Sequence, residues 1–501
     1  MSYYVEHFVA GKPYSDAAGR TGPVYNPSTG EEIGRCAYGT HATVDHAVVV
    51  ATEASRKWGR ASQASRQAVV FKLRELMIAN IDLLAEVIGR EHGKTIPDAK
   101  GELGRAIEGI EFACNAPHVS KGEYANNVGG EIEVFSMRRP IGVVGCITPF
   151  NFPIMVPAVM MTMAVAVGNS IVWKPSEKVP SAALEFARLW KEAGLPDGVF
   201  NVVQGDKEVV DAILEHPGIA GISFVGSTAV GEYVYQRGTA HNKRVAAFTG
   251  GKNHMVVMPD ADLEAAASAF VSAGFGSASQ RCMAVSLLLP VGAETAERLR
   301  ELVIPKIRAL KVGPYNDLNA DYGPVVSRES KLAVERAIAH CIEEGGDLVI
   351  DGRSLEVEGH SNGYYLGPTL FDRVTTDMQL YREEIFGPVR GIMRPSTFDE
   401  AIEITNRHEY GNGSVIFTRD GKSSHRFMME IESGMIGVNV PVPLPSGYFN
   451  FGGLRRSKFG EGHLYGPDAV RFYTKFKTVS QRWPEPDDGA LPVSLAFNPS
   501  A

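Results

Sequence analysis

An α/β chain built on two doubly wound parallel sheets, with a small β hairpin beside them, is the fold class this sequence predicts. Three observations carry the prediction. From Ile141 onward, short β-branched runs alternate with helical stretches, the pattern of a parallel sheet covered by helices. After Gly251 a second such series begins and runs to about Asn450. Two segments far apart in the chain, Glu131–Met137 and Ala469–Trp483, alternate apolar and polar residues as strands with one wet face do.

Taken in order, residues 6–40 alternate around Gly and Pro turns and read as short strands. Residues 43–118 are helical, with Ala47, Val50, Ala54 and Trp58, then Leu73, Leu76 and Ile81, recurring at helical spacing. The alternation over 124–143 marks a hairpin. Then come a strand at Ile141–Ile147, a buried helix at Ile154–Val167, a strand at Ser170–Lys174 and a helix at Ala182–Ala193. A strand at Phe200–Val203, a helix at Val209–His216, a strand at Gly221–Val225 and a helix at Val230–Arg237 complete the first series. Ala469–Trp483 reads as an edge strand, and the Pro- and Asp-rich end from Pro484 as a loose tail.

The 501 residues, 44% hydrophobic and 22% charged, are an ordinary globular composition sufficient for roughly two to three domains. A net charge of -8 with mixed signs lacks the basic footprint of a nucleic-acid binder. Five scattered Cys cannot make a disulfide framework, and no His or Cys spacing suggests a metal. The start lacks a basic and apolar leader, and the apolar run Phe152–Trp173 is broken by prolines and a Gly-Asn-Ser turn. No membrane contact is expected, and a reducing cytoplasm, or a matrix-like compartment after processing, is the expected location.

Cys282 is the candidate nucleophile. It ends Phe275-Gly-Ser-Ala-Ser-Gln-Arg-Cys282, where small residues leave room for a substrate and Arg281 favours the thiolate. A lone Cys is more often a small buried hydrophobe, as Cys114, Cys146 and Cys341 are expected to be; Cys36 stays open. Met155, Met160, Met161 and Met163 are expected to be core. In Ile222-Ser-Phe-Val-Gly-Ser-Thr228, a strand turns into a helix at Gly226 and Ser227. Ser227 is expected to cap the helix and to meet a pyrophosphate at its N-terminus. Val172-Trp-Lys-Pro-Ser-Glu177 delivers Lys174 and Glu177 to the carboxyl edge of the sheet. A carboxylate there can hold both ribose hydroxyls of an adenosine and would repel a 2′-phosphate, which favours NAD over NADP.

Thr148-Pro-Phe-Asn-Phe-Pro153, Trp173-Lys-Pro-Ser-Glu177, Phe224-Val-Gly-Ser227, Ser279-Gln-Arg-Cys282 and Glu384-Ile-Phe-Gly-Pro388 occur in that order. Together they resemble the aldehyde dehydrogenase superfamily over essentially the whole chain. The resemblance implies a NAD-binding domain over 6–122 and 142–250, and a catalytic domain over 251–467. It also implies oligomerisation strands in 123–141 and 468–488, a loose tail over 489–501, and assembly as a dimer or tetramer. Cys282 would be the nucleophile and Asn151 an oxyanion donor. Thr148, Phe150, Lys174, Glu177, Lys178, Gly226, Ser227, Thr249, Glu384 and Phe386 would bind the cofactor, with no metal. One oxyanion donor contributes about 3–4 kcal/mol to such chemistry.

Hydrolytic members of the superfamily place a Glu two residues before a Gly-Gly-Lys motif to activate water. Here the segment is Ala246-Ala-Phe-Thr-Gly-Gly-Lys-Asn-His254, and Phe248 cannot take a proton. A better nucleophile than water, the thiol of coenzyme A, fits this departure. Gly250-Gly-Lys-Asn-His254, Arg281-Cys-Met283, Asn439-Val-Pro-Val-Pro443 and Phe451-Gly-Gly453 resemble the CoA-acylating, methylmalonate-semialdehyde branch. That branch implies Arg105 and Arg281 as holders of a substrate carboxylate, which two guanidiniums suit. On spacing alone, Arg105 pairs with Glu102 or Glu108 on its own helix.

The expected activity is NAD-dependent oxidation of malonate or methylmalonate semialdehyde, with CoA, to acetyl-CoA or propionyl-CoA with loss of CO2. The alternative is a hydrolytic aldehyde dehydrogenase giving a free acid. A third possibility, a non-enzymatic relative, is opposed by intact Cys282, Asn151, Lys174 and Glu384.

Overall fold

Val143–Ile147 is a strand buried on both faces, and its neighbours in space explain why it must be apolar throughout. In the computed structural model, which describes residues 3–16, 19–129 and 131–483, it lies inside an eight-stranded sheet. The strand order is Lys458–Phe459, Arg244–Phe248, Ile219–Val225, Val143–Ile147, Ser170–Lys174, Phe200–Val202, His7–Val9 and Lys12–Tyr14. The five strands from 143 to 248 are mutually parallel, and the outer ones add on antiparallel.

Alternate residues of these strands feed two cores. Val144, Cys146, Ile171 and Trp173 point to one face, where the helices Met155–Ala166 and Ser181–Glu192 pack. Val143, Ile147 and Val172 point to the other, against His41–Trp58, Lys207–Glu215 and Thr228–Ala240. Covering both faces is what a parallel sheet requires. The helices Gln63–Ala79, Ile81–His92 and Ile96–Cys114 extend the first core outward, with Leu73, Leu84, Leu103 and Ile110 buried in it.

A second sheet, of seven strands, takes the order Asp347–Ile350, Thr369–Asp372, Val389–Ile392, Val285–Pro290, Asn253–Val257, Gly413–Phe417 and Met435–Val438. All its pairs are parallel except the first. Its core joins Met255, Leu287 and Ile416 to Phe270, Leu299 and Ile338 from flanking helices.

The hairpin expected around 124–143 takes a different form. Glu133–Pro140 pairs with Tyr124–Ala125 at only two positions, but with Thr474–Gln481 along its full eight residues. The strand expected from Ala469 begins only at Thr474. Pro467–Tyr473 is a helix, opened by Gly466 at φ 79° and by Pro467 in its first turn, where a missing N–H costs nothing. Pro484–Ala501, with the tail expected over 489–501, lies outside the described residues. Cys36, Cys114, Cys146 and Cys341 are buried thiols. Met160, Met161 and Met163 are core, whereas Met155 is only partly buried. Among the described residues, no helix is long and apolar enough to cross a membrane.

Candidate active site

The carboxyl ends of the parallel strands lie along one edge of the first sheet, as open α/β sheets present their ligand sites. Cys282 meets this edge from the second sheet. The helix Leu263–Phe275 stops at Gly276, and Ser277, Ala278 and Ser279 then take left-handed backbone at φ 57°, 50° and 62°. Each such non-glycine residue costs about 1–2 kcal/mol, so its surroundings must hold it. Ser279 Oγ donates to the Gly274 carbonyl, and the buried Arg390 Nε donates to the same oxygen at 2.6 Å. Beyond the turn, the Cys282 carbonyl accepts from Asn253 Nδ2 and Asn412 Nδ2, each at 2.8 Å.

Burial pushes the Cys282 thiol up to about 12; Glu384 pushes the same way, and Arg281 opposes them only weakly. Arg281 acts in the direction expected, towards the thiolate, but it does not set the outcome. Arg281 Nη2 is engaged by Asp98 Oδ1 at 2.5 Å, and desolvation of the sulfur outweighs the cation beside it.

Asn151 follows the central strand and is buried. Its backbone carbonyl accepts from Lys94 Nζ at 2.6 Å, and Lys94 also donates to Glu102 Oε2 at 2.8 Å. Both charged side chains are fully buried. The other Glu102 oxygen accepts from the N–H groups of Ile154 at 2.9 Å and Met155 at 3.0 Å, at the start of the next helix. Thr148 Oγ1 accepts from Trp173 Nε1 at 2.8 Å, tying the same loop to the neighbouring strand.

A cleft of about 610 Å³ opens on one side of Cys282. Of the expected cofactor residues, Phe150, Gly226, Ser227, Thr249, Glu384 and Phe386 line it, together with Asn151. Thr148, Lys174, Glu177 and Lys178 are outside its lining, although Lys178 Nζ lies 5.4 Å from the ring of Phe150. Lys174 Nζ donates to Glu177 Oε2 at 2.7 Å. Burial alone would raise the Glu177 carboxyl, but Lys174 holds it below its ordinary value. Burial raises Glu384 to about 7, against the pull of the Gly251 N–H at 3.1 Å. Ser227 occupies the N-cap position of Thr228–Ala240 with extended backbone, yet its side chain makes no capping hydrogen bond, contrary to one of the two roles expected for it. The glycine at 226 is required from within the protein, since a Cβ there would stand 2.5 Å from the Phe224 ring.

A second cavity, of about 280 Å³, opens on the other side of Cys282. Its walls are mainly apolar, from Phe152, Met155, Val159, Met160 and Phe451, so Met155 and Met160 are wall as well as core. Phe248 is part of that wall and packs on Phe451 at 5.9 Å. Arg105 and Arg281 line this same cavity. Arg105 Nη1 is paired with Glu108 Oε2 at 2.7 Å, as helix spacing allowed, while Glu102 belongs to Lys94 instead. The carboxylates lining this cavity, Asp98, Glu102 and Glu108, are thus each engaged by a cation. The two cavities share Val225, Thr249 and Cys282, so Cys282 borders both.

Sequence reasoning missed Lys94, Asp98 and Asn412, named Glu102 only as a candidate partner of Arg105, and named Asn253 only within a motif. Lys94 and Glu102 are eight residues apart and not at a helical pairing distance, so no spacing rule joins them. Asn412 sits in Gly411-Asn-Gly413, where two glycines around a polar residue read as a turn.

A family model described as aldehyde dehydrogenase family matches residues 14–479. The malonate-semialdehyde dehydrogenase of Pseudomonas aeruginosa is 48% identical over 481 residues, covering 96% of this chain and 97% of that protein. The mitochondrial, acylating methylmalonate-semialdehyde dehydrogenase of Arabidopsis thaliana is 42% identical over 474 residues, covering 95% of this chain and 77% of that protein. Among solved structures, the chain is similar to a protein of Sinorhizobium meliloti 1021 provisionally named methylmalonate-semialdehyde dehydrogenase and complexed with NAD. That match has a TM-score of 0.96 and 46% identity, and covers 98% of this chain and all of the other.

Proposed function

Because the chain belongs to the aldehyde dehydrogenase family, in its methylmalonate-semialdehyde branch, we propose that it is a NAD-dependent, CoA-acylating semialdehyde dehydrogenase. Malonate or methylmalonate semialdehyde is its substrate, and acetyl-CoA or propionyl-CoA, CO2 and NADH are its products. The observation that carries this reading is Cys282 set between two cavities, with Phe248 where a water-activating carboxylate would stand.

The residues of the larger cleft fit NAD. Ser227, with no capping duty, faces it at a helix N-terminus, where a pyrophosphate is favoured. Glu384 and Phe386 are present for the ribose and nicotinamide. Thr148, Lys174, Glu177, Lys178 and Thr249 complete this set, with Glu177 for the adenosine ribose. Bound there, NAD supplies the hydride acceptor.

The Cys282 thiolate attacks the aldehyde carbon, and the Asn151 amide with the Cys282 N–H donates to the alkoxide that forms. Loss of hydride leaves a thioester on Cys282. Phe248 cannot deprotonate water, so the thioester waits for the thiol of CoA. The new carbon–sulfur bond forms as the bond to Cys282 breaks, and the CoA thiol proton returns to Cys282. The carboxylate lies β to the acyl carbonyl, so it can leave as CO2 with its electrons delocalised into that carbonyl and a proton taken up in its place. Arg105 and Arg281 hold this carboxylate while it is present. The domain roles given to 6–122 with 142–250 and to 251–467, assembly through 123–141 and 468–488 into a dimer or tetramer, and residence in the cytoplasm are parts of the same reading.

NADH release with malonate semialdehyde, followed with and without CoA and with products identified by mass spectrometry, tests it. A CoA-dependent steady state yielding acetyl-CoA is expected. Steady turnover to a free acid without CoA would overturn it.

A further inference from the structure

The loop that carries Asn151 is held by an ion pair, Lys94 with Glu102, that is outside the lining of the larger cleft, although Glu102 borders the smaller cavity. Lys94 Nζ reaches the Asn151 carbonyl at 2.6 Å and Glu102 Oε2 at 2.8 Å, and lies 4.4 Å from the centre of the Phe152 ring. Glu102 Oε1 takes the N–H groups of Ile154 and Met155. The two side chains therefore grip the backbone on both sides of Phe152 and join the helix Ile96–Cys114 to the start of Met155–Ala166. A fully desolvated pair of charges is an expensive way to fasten a loop, since apolar residues of similar volume often serve stability as well or better. What the pair provides that apolar packing cannot is direction. A carbonyl held by an ammonium fixes the plane of the peptide at Asn151, and with it the direction in which the side-chain amide leaves the backbone. Electrostatic catalysis depends on donors fixed in place before charge develops.

We propose that Lys94, held by Glu102, is a positioning residue that aims the Asn151 amide at the developing alkoxide. This rests on the reading of Asn151 as oxyanion donor, and the test separates the two.

The NADH burst is measured by stopped flow with saturating NAD and malonate semialdehyde in four enzymes: the parent, Lys94→Met, Asn151→Ala and the double variant. Removing an oxyanion donor slows chemistry about 100- to 1,000-fold, and Asn151→Ala is expected in that range. Lys94→Met is expected to slow the burst about 10- to 100-fold, with NAD affinity and the KM for the aldehyde within about twofold of the parent. In the Asn151→Ala background it is expected to have an effect under about twofold, because the group it aims is gone. Equal slowing in both backgrounds would overturn the proposal and make Lys94 a general support. A burst unchanged by Asn151→Ala would overturn the oxyanion role itself, and the proposal with it. Glu102→Gln, which keeps the shape of the side chain, is carried through the same two backgrounds so that the outcome does not depend on Lys94→Met folding. It is expected to show the same loss of effect once Asn151 is removed.

Discussion

Burial sets the chemistry of Cys282 more than its cationic neighbour does, and this has a pH signature. The thiol, raised to about 12, loses its proton only as pH rises, so the reactive fraction in the ligand-free enzyme is small at neutrality. Inactivation by iodoacetamide is expected to quicken roughly tenfold per pH unit between about 7 and 9, because both lie below the thiol's pKa. Cys282→Ala is expected to abolish NADH formation and to remove this labelling, while NAD still binds with an affinity within about twofold as read by fluorescence. Phe248 permits the converse experiment. Phe248→Glu restores a carboxylate beside the thioester, and a positioned general base contributes about 100- to 10,000-fold. CoA-independent release of free acid is expected to rise at least about tenfold, with some loss of stability from setting a charge against Phe451. Arg105 is half-exposed and already paired with Glu108, so its contribution belongs at the low end for charged hydrogen bonds. Arg105→Leu is expected to raise the KM for malonate semialdehyde about tenfold and that for propanal less than about twofold. Equal effects on both would return the side chain to a purely structural role.

At the scale of elements, the turn between Phe275 and Cys282 is the costly one. Three left-handed residues in succession survive because Arg390 and Ser279 meet at the Gly274 carbonyl and two asparagines hold the carbonyl of Cys282. Ala278→Val puts a β-branched side chain where φ is 50°, and is expected to cost about 1–3 kcal/mol in urea denaturation. The same turn marks how far a sequence can be read. Its small residues announce room around a thiol, but nothing in Ser-Ala-Ser predicts left-handed backbone, which is held in part by Arg390 and Asn412, each more than a hundred residues away. The strands Val143–Ile147 and Ser170–Lys174 were legible because each carries β-branched residues and is buried on either face, whereas the second sheet was legible only as an alternating series and not strand by strand. The helix Pro467–Tyr473 was hidden by Phe472, which continues the alternation of the strand that follows although it is buried from a helix. Most of the cofactor-side residues were legible as motifs at strand ends. Lys94 and Glu102 were not, because a buried ion pair is a fact of packing and leaves no local pattern.

At the scale of the molecule, two sheets with separate cores bring their edges together at one sulfur atom. On the proposed function, the smaller cavity, of about 280 Å³, receives the acyl group carried by Cys282. On the same reading the larger cleft is the route for both dinucleotide and CoA, which take turns in it. Turnover becomes a matter of timetable: the reduced dinucleotide departs before the second thiol arrives, and the acyl-enzyme bridges the interval. Double-reciprocal plots against NAD at several CoA concentrations are expected to be parallel. Intersecting lines would mean that CoA enters by the opposite mouth while the dinucleotide is still in place. In such a scheme Phe248 acts as a guard on time as well as on chemistry, since a side chain that cannot take a proton from water is what lets an activated acyl group outlast the vacancy beside it.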